Sequence, residues 1–273
     1  MKILVPLDGR LQSETVLPYV KGLSRDCLAE VVLLRVLDPM ALAGDPLAAA
    51  ALGEEYETRQ RAEEYLQQVA SGFGGAEVEQ LCRRGSATAT ICQEATRNRC
   101  DLVVFAPHGH HGLERWIFGS VAEEVAHQSP CPVLLMRATA EPVFQDILVP
   151  TDGTNLSNAV CRHLSRFAPQ QVKVTLLHCL DDPPPEVDLR ISLEACLAGR
   201  SGWRLQFVQA HPKKGILNYA LDQNCDLIAM ATHAGGGLKQ RWAGSLTEQV
   251  ARHAPCPVLV FPPAYLEKMA EPI

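Results

Sequence analysis

Aromatic residues are scarce in this 273-residue chain, at 5%, and there is no surplus of basic ones: 25 Lys and Arg stand against 31 Asp and Glu, a net charge of −6. Nonspecific binding to nucleic acid or to an anionic membrane rests on excess cations, so neither partner is expected. No apolar run approaches the roughly 18 residues that a transmembrane helix needs. The 10 cysteines include no CxxC pair and no dense short-loop framework, which points to reduced thiols in a cytoplasm rather than to a stapled secreted domain. The opening Met1-Lys2-Ile3-Leu4-Val5-Pro6 reaches acidic Asp8 too soon for a secretory signal. What remains is an ordinary globular composition, 47% hydrophobic and 21% charged. The length suits one large domain or two small ones.

The chain reads twice. Lys2-Ile3-Leu4-Val5-Pro6-Leu7-Asp8-Gly9 returns as Asp146-Ile147-Leu148-Val149-Pro150-Thr151-Asp152-Gly153, at an offset of 144. Gly119-Ser120 and the residues that follow return at Gly244-Ser245, an offset of 125, as does Pro130-Cys131-Pro132-Val133-Leu134 at Pro255-Cys256-Pro257-Val258-Leu259. The first copy therefore carries 19 extra residues, expected at the Ala-rich stretch from Met40 to Glu57. Units this long are domains rather than solenoid repeats. The polar stretch from Ala138 to Gln145 marks the seam, giving domains 1–140 and 145–273.

Within each copy, short apolar runs alternate with amphipathic stretches, the pattern of βα units. Copy one has strands at Ile3–Val5, Val31–Val36, Val78–Cys82, Leu102–Phe105 and Val133–Met136. Its helices fall at Ser13–Leu23, Glu54–Val69, Ala87–Thr96 and Ser120–Gln128. Copy two repeats the strands at Ile147–Val149, Val174–Cys179, Leu205–Val208, Leu227–Met230 and Val258–Phe261. Apolar strands of this kind are buried on both faces, as in a doubly wound parallel sheet. Ligands of such sheets bind at the carboxyl ends of the strands, where strand order reverses. Functional residues should then follow the first and fourth strands.

Asp8 and Asp152 end the first strand of each copy, where a carboxylate can accept hydrogen bonds from a ribose or base. Asp-Gly there is equally a common turn. After the fourth strand come Ala106-Pro107-His108-Gly109 and, nine residues on, Gly119-Ser120 opening a helix. Helix-start amides and neighbouring glycines suit a phosphate. Ser120-x-x-Glu123 and Ser245-x-x-Glu248 are also capping boxes, which need no ligand. His108, His110 and His111 crowd one loop, yet no Cys or acidic residue stands beside them at a zinc spacing, so no metal site is expected. Trp116 and Trp242 precede the two Gly-Ser pairs and are expected to pack the loops. Cys131 and Cys256, framed by prolines, should be buried small hydrophobes without a disulfide.

The run from Asp101 through His108-Gly109 and Gly112-Leu113-Glu114-Arg115-Trp116-Ile117-Phe118-Gly119-Ser120 to Pro130-Cys131-Pro132-Val133-Leu134-Leu135 closely resembles universal stress proteins. Ile3-Leu4-Val5-Pro6-Leu7-Asp8-Gly9 resembles that family's opening strand, and the likeness extends to both copies. The resemblance implies an α/β fold of two tandem Rossmann-like (adenine nucleotide alpha hydrolase-like) domains, each a five-stranded parallel sheet with helices on both faces. It also implies that the two final strands meet across an internal pseudo-twofold, an internal pseudo-dimer that leaves a further homodimer open.

ATP-binding members carry Gly-x2-Gly-x9-Gly-Ser/Thr. Copy one reads Ala106-x2-Gly109-x9-Gly119-Ser120, and copy two reads Ala231-x2-Ala234-x9-Gly244-Ser245. By resemblance, Asp8 and the backbone at Val36 face an adenosine, and Ala106, His108, Gly109, Gly119 and Ser120 surround the phosphates. Asp152, Cys179, Ala231, Gly244 and Ser245 are the copy-two counterparts. The implied cofactor is ATP, with Mg left open, and the implied function is a cytoplasmic, nucleotide-binding regulatory or stress-response protein acting on an unidentified protein partner. Nucleotide is expected first in copy one. Ala106, Ala231, Ala234 and Pro107 motivate the alternative, an interaction scaffold whose phosphate loops have degenerated. No Walker lysine motif and no local Ser-His-Asp pattern is present, so an efficient enzyme is not expected, although slow ATP hydrolysis is compatible.

Overall fold

The computed structural model describes residues 1–26, 28–38, 55–106, 119–137, 144–164, 167, 172–180, 193, 194, 196, 197, 199–232 and 245–270. In the first half these form β1 (Lys2–Leu7), α1 (Leu11–Glu14), α2 (Leu17–Asp26), β2 (Glu30–Leu37), α3 (Glu55–Ser71), β3 (Val78–Arg84), α4 (Ala87–Arg97), β4 (Leu102–Phe105), α5 (Ser120–Gln128) and β5 (Val133–Leu135). The second half follows with β6 (Asp146–Pro150), α6 (Asn155–Leu164), β7 (Lys173–Leu180), β8 (Trp203–Gln209), α7 (Pro212–Asp222), β9 (Leu227–Ala231), α8 (Leu246–His253), β10 (Val258–Phe261) and α9 (Pro263–Ala270). No described helix is long and apolar enough to cross a membrane.

The strands make one sheet in the order β3-β2-β1-β4-β5-β10-β9-β6-β7-β8. Within each half every pairing is parallel. The halves join where β5 and β10 run antiparallel, with Val258 opposite Leu135, Leu259 opposite Leu134 and Val260 opposite Val133. Exchanging the halves maps this register onto itself, so a local twofold passes between Leu134 and Leu259.

Alternation along the strands divides the core into two layers. Ile3, Val5, Val31 and Leu33 point to one face and pack with Val16 and Val20 of the α1–α2 region and with Leu66 of α3. Leu4, Val32 and Leu34 point to the other, against Ile91 and Ala95 of α4 and Ala122, Val125 and Ala126 of α5. Both layers continue through the joint, Leu134 and Leu259 in the first and Val133, Leu135, Val258 and Val260 in the second. A strand covered on both faces has no polar side, which is why the central runs lack polar alternation. The outer strands do not follow that rule. Glu79 and Gln80 of β3 and Arg204 and Gln206 of β8 are exposed, because an edge strand has one neighbour and partial cover.

One helical expectation changes. The helix expected over Ser13–Leu23 is two helices, broken at Thr15 and Val16. Pro18 has no N–H to donate to Glu14 one turn back, and its ring disfavours the helical conformation just before it. Arg162 stands at the matching place in the second half, and there α6 runs unbroken. The extra residues of copy one lie mostly outside the described residues; α3 begins at Glu55. Cys131 and Cys256 are buried and reduced, and burial pushes each thiol up to about 12.

Candidate functional site

The order β3-β2-β1-β4-β5 reverses direction between β1 and β4, which opens a crevice at their carboxyl ends. The chain leaves β1 in a tight turn at Gly9, whose φ of +78° suits a residue without Cβ. Asp8 organises that turn: its Oδ1 accepts the Arg10 N–H at 2.9 Å. Ser13 Oγ accepts the Asp8 N–H at 3.3 Å and donates to the Arg10 carbonyl at 2.8 Å. From β2, Arg35 reaches across and donates from Nη1 to the Leu7 carbonyl at 3.3 Å. The turn reading of Asp-Gly is therefore met, and the carboxylate keeps a partly exposed position, its side chain 39% accessible.

A cleft of about 140 Å³ lies against this turn. Asp8, Arg35, Val36 and Ala106 form its β-strand wall, and Val121 and Ala122 of α5 close the far side. Gly119 is the N-cap of α5, with extended backbone (φ −65°, ψ 153°), and Ser120 is the first helical residue. The expected Ser120 capping box is absent: the Glu123 N–H bonds the Gly119 carbonyl at 3.2 Å, and no side chain caps the helix. First-turn amides of a helix lack intrahelical acceptors, so this end of the crevice presents donors. Ala106 is 5% exposed and packs into the core, and neither it nor Ala231 takes a positive φ. The alanines thus sit at the ends of β4 and β9 without backbone strain.

The second half builds the same elements with different commitments. Gly153 repeats the positive φ, at +84°. His178 stands where Arg35 stands in the first half, and its Nδ1 contacts the Thr151 carbonyl at 2.8 Å. Asp152 is far more engaged than Asp8: its Oδ1 accepts the Thr154 N–H at 3.0 Å, the Thr154 hydroxyl at 2.7 Å and the Ser157 hydroxyl at 2.7 Å. The Cys179 thiol turns toward the Pro212 carbonyl at 3.9 Å, beside Gly215 of α7, where a Cβ would lie 2.7 Å from the sulfur. The Ala231 carbonyl accepts the Thr247 hydroxyl at 3.1 Å, which ties β9 to the first turn of α8. Ser245 does cap its helix, accepting the Glu248 N–H at 3.1 Å.

Of the residues singled out in the sequence, Asp8, Val36 and Ala106 come together in one cleft, and Gly119 and Ser120 lead the helix that bounds it. His108, Gly109 and Gly244 lie outside the described residues, as do His110, His111, Trp116, Ala234 and Trp242. Sequence reasoning passed over Arg35 and Ser13. Arg35 carried a signal, a lone cation in the apolar run Val31-Val32-Leu33-Leu34-Arg35-Val36.

The family model described as the universal stress protein family matches residues 1–137 and 190–262. A universal stress protein of Methanocaldococcus jannaschii is 30% identical over 142 residues, which are 50% of this chain and 81% of that protein. The crystal structure of a universal stress protein from Archaeoglobus fulgidus aligns with 96% of this chain and 98% of its own, at a TM-score of 0.76 and 22% identity; at that identity the likeness is one of fold. Another universal stress protein, solved in complex with cAMP, aligns with 43% of this chain and 96% of its own at 24% identity; its TM-score of 0.38 leaves the ligand a fact about that protein.

Proposed function

The chain belongs to the universal stress protein family, and from that premise we propose that its first half binds an adenine nucleotide, ATP, in the cleft between β1 and β4. Occupancy then regulates a surface read by a protein partner. The observation that carries this reading is convergence: Asp8, Val36 and Ala106, from three separate strand ends, line one cleft closed by the first turn of α5. Asp8 supplies an acceptor for ribose hydroxyls or the base edge. Val36, Ile91 and Phe105 supply apolar wall, and Arg35 a positive charge. The phosphates extend toward Gly119 and Ser120, where helix-start amides favour an anion. Whole small-molecule pockets run to about 300–1,000 Å³. The described cleft, about 140 Å³, accordingly accounts for the nucleoside end alone. Mg would enter with ATP and reduce its charge.

The second half serves as the structural partner in this reading. Three donors already occupy Asp152 Oδ1, and α7 packs close to Cys179. The proposal takes the chain as two units, 1–140 and 145–273, of which the first is the sensor. Regulation rather than turnover is the assigned role, since members of this family are generally regulatory and, among the described residues that line the cleft, Ser13 carries the one hydroxyl and it is engaged in the turn.

Gly119→Asp tests the proposal. Asp is a good N-cap, so α5 is retained, while the carboxylate takes the position meant for phosphate. The variant should stay folded and lose ATP binding in calorimetry, whereas the parent binds near one ATP per chain. Equal binding by both proteins contradicts the assigned site.

A further inference from the structure

Away from the cleft, two cysteines of the second half meet. Cys161 lies on the inner face of α6 and is 1% exposed. Cys196 belongs to a short turn anchored by fully buried Leu193, whose carbonyl accepts the Cys196 N–H at 3.1 Å. Cys196 is half-buried, packs against the layer containing Cys161, and the two thiols are hydrogen-bonded to each other. Arg200 fixes the arrangement from both ends. Its guanidinium donates to the Cys161 carbonyl and lies over the Trp203 ring, 4.4 Å from the centroid. Two glycines with positive φ, Gly199 (+72°) and Gly202 (+81°), turn the chain around it.

The electrostatics divide the pair into unlike members. The hydrogen bond from Cys161 holds the Cys196 thiol well below the ordinary cysteine range; burial opposes this, and the charges of Arg200 and Arg162 add to it. The same bond, with burial, pushes Cys161 up. The half-buried Cys92 and Cys82 shift the other way: burial alone pushes Cys92 up to about 11, and at Cys82 burial, the largest influence, outweighs the lowering charges of Arg59, Arg35 and Arg83. A thiolate that is reachable, cation-flanked and backed by a second thiol is the arrangement of a redox-active dithiol.

We propose that Cys161 and Cys196 form a peroxide-reactive dithiol, with Cys196 the attacking thiolate and Cys161 the resolving thiol. The Cys196 sulfur attacks one oxygen of a hydroperoxide. The O–O bond breaks, the leaving oxygen takes a proton to become alcohol or water, and Cys196 becomes a sulfenic acid. The Cys161 sulfur then attacks the Cys196 sulfur and expels hydroxide, which leaves as water with the Cys161 proton. Two electrons pass from the dithiol to the peroxide, and a disulfide remains. That bond would pin α6 to the 193–200 segment. Ser157, one turn before Cys161 on α6, holds the Asp152 turn, so the constraint reaches the carboxyl edge of the second half.

The test uses the full-length reduced protein treated with hydrogen peroxide, quenched by alkylation and mapped without reduction. The expected product is one linked peptide pair, Cys161 to Cys196. In the untreated protein Cys196 should alkylate at least about tenfold faster than Cys82 or Cys92. Cys196→Ser should leave Cys161 reduced. Cys161→Ser, which keeps a hydroxyl donor beside Cys196, should leave a Cys196 sulfenic acid that dimedone traps, whereas Cys161→Ala, which removes the donor as well, should slow Cys196 alkylation toward that of Cys92. Alkylation of Cys196 no faster than of Cys92, a cross-link through other cysteines, or equal dimedone labelling of the parent and Cys161→Ser would overturn the assignment.

Discussion

Leu134 lies directly opposite Leu259, its own counterpart in the repeat, across the antiparallel joint of β5 and β10. Both side chains are 2% exposed and belong to the same apolar layer, so the joint is core rather than contact surface. Truncating either leucine to alanine should cost about 2–5 kcal/mol. Because the two are neighbours, the double variant should depart from additivity by roughly 0.5–3 kcal/mol in urea unfolding. Additive losses would mean that the halves fold without leaning on each other here.

Arg252 of α8 carries a second link across the joint. It pairs with Glu123 of α5 in the other half and, through Nε at 2.8 Å, with Glu248 on its own helix. Burial pushes the Glu123 carboxyl up; Arg252 pulls it back, and Glu248 adds to the rise. Arg252→Ala removes the opposing charge from half-buried Glu123 and buried Glu248, at a cost of up to about 3 kcal/mol at neutral pH. The sign with pH follows from proton uptake. A carboxyl raised in the folded state holds a proton that the unfolded chain has released, so stability falls as pH rises through that window. The deficit of the variant relative to the parent should therefore shrink on acidification toward pH 4.5, the ordinary value for this group. Urea midpoints across a pH series measure it, and a constant deficit would argue against the ion pair.

Glu94 behaves in the opposite sense. Its side chain is 2% exposed and lies 3.1 Å from Arg83 Nε and 2.9 Å from Arg97 Nη1. Burial alone would raise the carboxyl, but the hydrogen bonds from the two arginines outweigh it and hold the group below its ordinary 4.5. Its stabilisation is present above that value and lost as pH falls below it. Glu94→Gln should lose about 1–3 kcal/mol at neutral pH. Below pH 4.5 its unfolding free energy should fall less steeply than the parent's, as followed by circular dichroism in urea.

Much of this architecture is legible in the chain. The repeated Ile-Leu-Val-Pro and Pro-Cys-Pro-Val-Leu runs locate the first and last strands of each half, because a strand buried on both faces has to be apolar throughout. Other features depend on contacts that no local pattern carries. Pro18 breaks a helix whose apolar spacing is intact. Ser120 and Ser245 share one local pattern, yet only Ser245 caps, since Gly119 takes the N-cap position in the first half. Asp8 and Asp152 look alike in sequence, and it is Thr154, standing where Arg10 stands, that helps saturate Asp152. Cys161 and Cys196 are joined by folding alone, with all of β7 between them.

The difference between the two turns leads to a binding prediction. Asp8→Asn should weaken ATP binding roughly tenfold, because a charge-assisted hydrogen bond of about 1.5–3 kcal/mol becomes a neutral one. Asp152→Asn should leave affinity unchanged and lower stability instead, by disturbing the Thr154 and Ser157 bonds. Paired calorimetry and thermal unfolding separate these effects. Equal loss of affinity in both variants would place a nucleotide in each half.

Equilibrium titration of the nucleotide-stripped protein with ATP and Mg tests the central claim most directly. Saturable binding at near one site per chain is expected, with a stabilisation of about 2.7 kcal/mol when free ATP reaches about 100 times its dissociation constant. No saturable signal up to millimolar ATP, with the protein folded throughout, would contradict it.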